Sequence, residues 1–111
     1  EAVGSGTLPV FATPAMLASM EKAAYTSVQS YLDEGCGTVG ILLNAEHLAA
    51  SPIGMHVRTE SELTEIDGRV LTFAVRSYAG GELIGKGVHK RCIIKSERFM
   101  AKARSKLDNE K

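Results

Sequence analysis

Residues 13–32 read TPAMLASMEKAAYTSVQSYL, and the fold of the whole chain turns on how this stretch is read. Thr13-Pro14 is a helix-start signal. Threonine offers an N-cap hydroxyl, and proline at the first helical position loses nothing, because its N–H would have no partner there. The periodicity predicts a helix from Pro14 to about Leu32, stopped ahead of Gly35, which suits a left-handed cap. At about 100° per residue, Leu17, Met20, Ala24, Val28, Tyr31 and Leu32 share one face, and Ser19, Lys22, Thr26, Gln29 and Ser30 share the other.

Beyond this helix the apolar period changes from 3.6 to 2. Thr38–Ala49 reads as a strand, with Val39, Ile41, Leu43, Ala45 and His47 on one side. Ser51-Pro52-Ile53-Gly54 breaks it. Met55–Ile66 is a second strand, in which Met55, Val57, Thr59, Ser61 and Leu63 alternate with His56, Arg58, Glu60 and Glu62. Asp67-Gly68 signals a hairpin into Val70–Tyr78, and Gly80-Gly81 a turn into Glu82–Ile94. A short strand is expected ahead of the helix, near Val3–Val10, and Ser96 is expected to cap a short amphipathic tail carrying Phe99, Met100 and Leu107. A sheet must bury one face, and only one helix is long enough to cover it. The expected architecture is therefore α+β: an antiparallel sheet curled around one long central helix, in a single domain over residues 1–111.

Composition narrows the function. The 111 residues carry 13 basic and 13 acidic side chains, so no net charge recruits nucleic acid or an anionic membrane. No apolar run approaches the ~20 residues that span a bilayer. The chain opens at Glu1, which leaves room for residues ahead of it. Its two cysteines, Cys36 and Cys92, form no C-x-x-C pair; free thiols in a reducing cytoplasm are the plain reading, with a disulfide or a nucleophile as alternatives.

Glu21 is the residue out of place. It projects from the apolar stripe, four residues after Leu17 and three before Ala24, where a carboxylate is costly unless paired, hydrogen-bonded or protonated. It is either a functional acid or a group that reaches a basic partner across an interface. Thr13 reads first as a cap, although a hydroxyl among unpaired helical N–H groups also favours developing negative charge. His47 falls on the core side of its strand, as a packed histidine or a proton carrier. His56 and His89, with charged neighbours, read as surface residues. Gly85-Lys86-Gly87 lies inside a strand and opens no helix, so it marks a bulge or a close backbone approach rather than a phosphate loop. Lys102, Arg104 and Lys106 read as a solvated face. No spacing of His, Cys, Asp or Glu suits a metal.

Several segments taken together resemble the fluoroacetyl-CoA-thioesterase-like branch of the hot-dog superfamily. They are Val10-Phe11-Ala12-Thr13-Pro14-Ala15-Met16 entering a helix that carries Glu21; Thr38-Val39-Gly40; His47-Leu48-Ala49-Ala50-Ser51-Pro52-Ile53-Gly54; Gly85-x-Gly87-x-His89-x-Arg91; and Glu97-Arg98-Phe99. The resemblance covers nearly the whole chain in order. It implies a hot-dog fold and hydrolysis of an acyl-CoA thioester by Thr13, Glu21 and His47, with Gly40 as the bare backbone that approaches the acyl group. It implies no metal or redox cofactor, CoA entering only as part of the substrate. One departure weighs against a fluoroacyl preference: Gly4-Ser5-Gly6-Thr7 stands where the fluoroacyl-selective enzyme has phenylalanines. Thr13 and Glu21 are eight residues apart, ~12 Å of helical rise, so joint action needs a second subunit related by a two-fold axis, a homodimer or higher symmetric oligomer. Two rivals stand beside this reading: a non-catalytic module that binds an acyl-CoA or another apolar ligand, and a structural dimer that buries Glu21 and His47 as an ion pair.

Overall fold

The computed structural model describes residues 12–52 and 54–109. They form helix α1 (Thr13–Gln29), strands β1 (Cys36–His47), β2 (Val57–Asp67), β3 (Val70–Ala79) and β4 (Glu82–Lys95), and helix α2 (Ser96–Asn109). The strand expected near Val3–Val10 lies outside the described residues. The sheet runs β1-β4-β3-β2, antiparallel throughout, and α1 touches all four strands. This is the α+β arrangement that one long helix and four alternating strands demanded.

The hairpins follow local chemistry. Asp67 pairs with Val70, so the loop between β2 and β3 is Gly68-Arg69, one residue later than the Asp-Gly signal suggests. Its first central residue, Gly68, sits at φ +59, a left-handed value that glycine adopts without a side-chain clash. The β3–β4 turn uses two glycines, Gly80 and Gly81, both at positive φ.

The core is a ladder of α1 residues at four-residue spacing, Met16, Met20, Ala24 and Val28, against Leu71, Phe73 and Val75 of β3. Each large apolar side chain buried here contributes ~1.5–3 kcal/mol. Met16 joins the stripe from outside the expected set, and Leu17 is only half-buried at its flank. The helix also ends earlier than its periodicity suggests. The N–H groups of Tyr31 and Leu32 bond the carbonyls of Val28 and Gln29, three residues back, which tightens the chain away from the helix axis. Tyr31, expected on the core face, is 85% exposed. Gly35, the expected cap, lies five residues past the observed one, Ser30, and leads instead into β1 at φ +84.

Between α1 and strand β2 the packing is polar, and it extends to Ser77 of β3. The hydroxyls of Ser19 and Thr59 lie 3.0 Å apart and those of Thr59 and Ser77 2.9 Å apart, while Ser61 donates to the Ala23 carbonyl at 3.1 Å. Thr59 and Ser61 thus face the helix, as their alternation requires.

One irregularity matters for function. Gly40 pairs with Arg91 and Leu42 with Lys90, so Ile41 is the extra residue of a β-bulge. The side chains facing α1 are therefore those of Thr38, ahead of the bulge, and of Leu43, Ala45 and His47 after it. Gly40 also opens toward the helix. Ile41, expected on the core side with Val39, is instead 53% exposed.

Candidate active site

Two polar clusters lie under α1. The first joins the start of α1 to the end of β1: Thr13 Oγ1 and His47 Nδ1 are 2.8 Å apart. Thr13 is not the helix cap. Ala12 holds that position in extended conformation, and no side chain caps the helix. The threonine hydroxyl is committed to the imidazole instead. His47 lies on the helix side of β1 as expected, and its Nε2 is buried with no hydrogen-bond partner among the described residues. An unanswered buried nitrogen of this kind costs ~1–3 kcal/mol.

The second cluster lies two turns further along α1. A Cβ built on Gly40 would stand 3.2 Å from Glu21 Oε2, 3.3 Å from Arg91 Nη1 and 3.3 Å from His89 Cε1. A carboxylate, a guanidinium and an imidazole therefore converge on bare backbone, and only glycine leaves the space between them clear. Arg91 is buried, and it is held by neutral acceptors. Its Nε donates to Thr38 Oγ1 at 2.7 Å, its Nη2 to the Thr38 carbonyl at 2.9 Å and its Nη1 to His89 Nε2 at 3.1 Å. The guanidinium also sits over the Tyr25 ring, 5.4 Å from its centroid. Burial pulls the Arg91 pKa below its ordinary value, and the negative charge of Glu21 across the gap works in the opposite direction. Among the described residues, the ion pairs within 4.0 Å involve only Arg58 and Arg76, not Arg91.

The structure thus joins Thr13 to His47 and Glu21 to Gly40, and within one chain it does not join the two sets. Sequence reasoning missed the residues that complete the second set. His89, expected at the surface, is fully buried; its charged neighbours Lys86 and Lys90 point to the opposite side. The signal available was the two-residue spacing of Gly85, Gly87, His89, Arg91 and Ile93, which puts them all on the face toward α1. Among the described residues, no three His, Cys, Asp or Glu side chains cluster as metal ligands would. No helix there is long and apolar enough to cross a membrane.

On the face of the sheet toward α1, a carboxylate beside an open backbone position and a histidine–threonine pair form a candidate active site, and comparison with known proteins gives the class. Residues 1–97 match the family described as FlK, fluoroacetyl-CoA-specific thioesterase. The chain is 39% identical over 97 residues to a fluoroacetyl-CoA thioesterase of Streptantibioticus cattleyicolor, covering 87% of this chain and 70% of that one. A solved structure of the fluoroacetyl-CoA thioesterase FlK superposes with a TM-score of 0.87 at 37% identity, over 92% of this chain and 76% of that one. A Thermus thermophilus thioesterase superfamily member gives a TM-score of 0.89 at 30% identity, over 93% and 76%. The chain belongs to the FlK family of hot-dog thioesterases, and its activity is hydrolysis of an acyl-CoA thioester.

Proposed function

We propose that this protein hydrolyses its acyl-CoA with Glu21 as the base or nucleophile, and with Thr13 and His47 supplied by the other subunit of a homodimer. The observation that carries the reading is the placement of Glu21: its carboxylate faces the bare backbone of Gly40, beside a cation anchored elsewhere. As a base, Glu21 takes a proton from water while the oxygen attacks the thioester carbonyl. As a nucleophile, it forms an acyl anhydride that water then opens. In either route the C–S bond breaks and the CoA sulfur leaves as thiolate or, with a proton from His47, as thiol. The Thr13 hydroxyl keeps the imidazole oriented. A crystal structure of a point mutant of FlK has been obtained with fluoroacetate and CoA bound, which supports a CoA thioester as the ligand of this site.

The two-fold arrangement has support in the edge of the sheet. Among the described residues β1 pairs only with β4, and Ile41 and Leu42 stand exposed along it. An uncovered edge strand of this length is a template for a second copy. An isologous contact there sets two α1 helices side by side and antiparallel, bringing one subunit's Thr13–His47 pair toward the other's Glu21. The free cysteines Cys36 and Cys92 suit a reducing cytoplasm.

The test is release of free thiol from a panel of acyl-CoAs, with Glu21→Gln as the control. The wild-type protein is expected to turn over at least one thioester, and Glu21→Gln to lose ~10²–10⁴-fold in kcat with an unchanged melt. Binding of CoA esters without turnover would move the protein to the binding-module reading. Collapse of the fold in Glu21→Gln would favour the structural ion pair.

A further inference from the structure

We infer that His89 is a positioning residue: it holds the Arg91 guanidinium back from Glu21 and so keeps that carboxylate unpaired. This rests on the reading of Glu21 as the acid that acts on the thioester.

The tautomer of His89 is fixed by its two neighbours. Its Nδ1 is 2.8 Å from the Leu42 carbonyl, which can only accept, so Nδ1 carries the proton. Its Nε2 is 3.1 Å from Arg91 Nη1, which can only donate, so Nε2 presents a lone pair. His89 is therefore a neutral imidazole that anchors Arg91 on one side and is itself anchored on the other. The Leu42 carbonyl comes immediately after the bulge at Ile41, so the irregularity that opens Gly40 toward the helix also supplies the support for His89. No solvent enters this arrangement, since His89 is 0% exposed.

What the lock prevents is the more informative point. A buried arginine gains more from a carboxylate than an exposed one, because less water screens the pair. Yet among the described residues the arginines that close on carboxylates are Arg58 and Arg76, on the outer surface. Arg91, with Glu21 on the far side of a gap no wider than a side chain, spends one N–H of each of its three nitrogens on Thr38 and His89. Thr38 holds only the Nε and Nη2 edge. Without His89 the Nη1 corner, the one that meets the space over Gly40, is free to swing across it and close the ion pair. That would neutralise the carboxylate and fill the space in which the reacting group must sit.

The experiment compares His89→Gln with His89→Asn. The glutamine oxygen reaches the place of Nε2 and can accept from Arg91. Asparagine can still donate to the Leu42 carbonyl but offers Arg91 nothing. Both variants are expected to fold. His89→Asn should lose ~10²-fold in kcat with little change in KM, as expected when a group near the reaction is misplaced by about an ångström, and His89→Gln should recover most of that loss. Equal activity in the two variants, or a wild-type rate in a folded His89→Asn, would overturn the proposal. A second readout needs no turnover. Nitrogen NMR of the wild-type protein should show His89 protonated at Nδ1 alone and a restrained Arg91 guanidinium whose Nη signals shift in His89→Asn, as Nη1 exchanges the imidazole for the Glu21 carboxylate. An imidazolium, an Nε2–H tautomer, or an Arg91 unchanged in His89→Asn would also overturn it. Should the wild-type protein hydrolyse no acyl-CoA, the functional reading fails alone, and the NMR result still decides whether His89 positions Arg91.

Discussion

The two faces of the sheet treat their arginines differently. On the outer face Arg58 closes on Glu60, and Arg76 reaches Glu60 at 3.5 Å and Glu62 at 3.4 Å. On the inner face Arg91 is bound to Thr38 and His89, and Glu21 stands near it across Gly40 without an ion-pair contact. If Coulombic attraction alone decided, the pattern would be reversed. Exposed pairs contribute little against solvent screening and side-chain entropy, while a carboxylate held near a buried cation but off it gives up attraction. The difference separates carboxylates that decorate the fold from one that is kept available.

The largest expected effect tests whether the inner face is chemical at all. His47→Ala should lower kcat by ~10²–10⁴-fold, the range for a lost acid–base group, while His56→Ala, at an exposed position, changes it little. Thermal melts decide the meaning: a loss of activity that tracks a loss of fold would reduce His47 to a packed residue. His89 is no silent control in this series, since it is buried in the second cluster.

Next in size is a restoration. Glu21→Gln and His47→Ala, each inactive alone, should complement when their subunits are exchanged. A site built from Glu21 of one subunit and His47 of the other is intact once in every mixed dimer, so random mixing should return about a quarter of wild-type turnover. No recovery after proven subunit exchange would mean that each site is built within one chain. A smaller effect is expected at Gly40. The Cβ of Gly40→Ala meets Glu21, Arg91 and His89 at 3.2–3.3 Å, tight contacts that force shifts of tenths of an ångström. Turnover should fall roughly tenfold with the fold retained. A wild-type rate in this variant would show that the space over Gly40 is not where the substrate reacts.

How far these features can be read from sequence depends on what governs each. The α1 ladder, the four strands and their hairpins follow from periodicity and turn residues, which are local. Glu21 was visible because a charge interrupts an apolar stripe. The bulge at Ile41 was not visible: strict alternation puts Gly40 and His47, seven residues apart, on opposite faces, and only the extra residue brings both to the helix side. The cap reading of Thr13 fails for a similar reason. A threonine before proline satisfies the capping rule by itself, and its contact with His47 depends on where a strand 34 residues later ends. His89 was hidden by its lysine neighbours, although its spacing from Gly85, Gly87 and Arg91 placed it inside.

The smallest expected effect belongs to the outer face and serves as the control. The hydrogen bond from Arg58 holds the Glu60 carboxyl below its ordinary value of 4.5, with further help from Arg76 and against a smaller opposing effect of burial. A carboxyl that is more acidic when folded stabilises the fold above its unfolded pKa, and that contribution is lost as pH falls through the folded pKa. Glu60→Gln should therefore slightly flatten the acid side of the melting-temperature profile. The difference from wild type should be present at neutral pH, vanish below the carboxylate range and shrink in high salt, because the pair is exposed. Turnover should not change, since Glu60 faces away from α1 while Thr59 and Ser61 face toward it. A melting profile unchanged at every pH would mean the outer pairs contribute nothing. A drop in turnover would be more damaging, because it would tie the outer carboxylates to the chemistry and remove the contrast between the two faces.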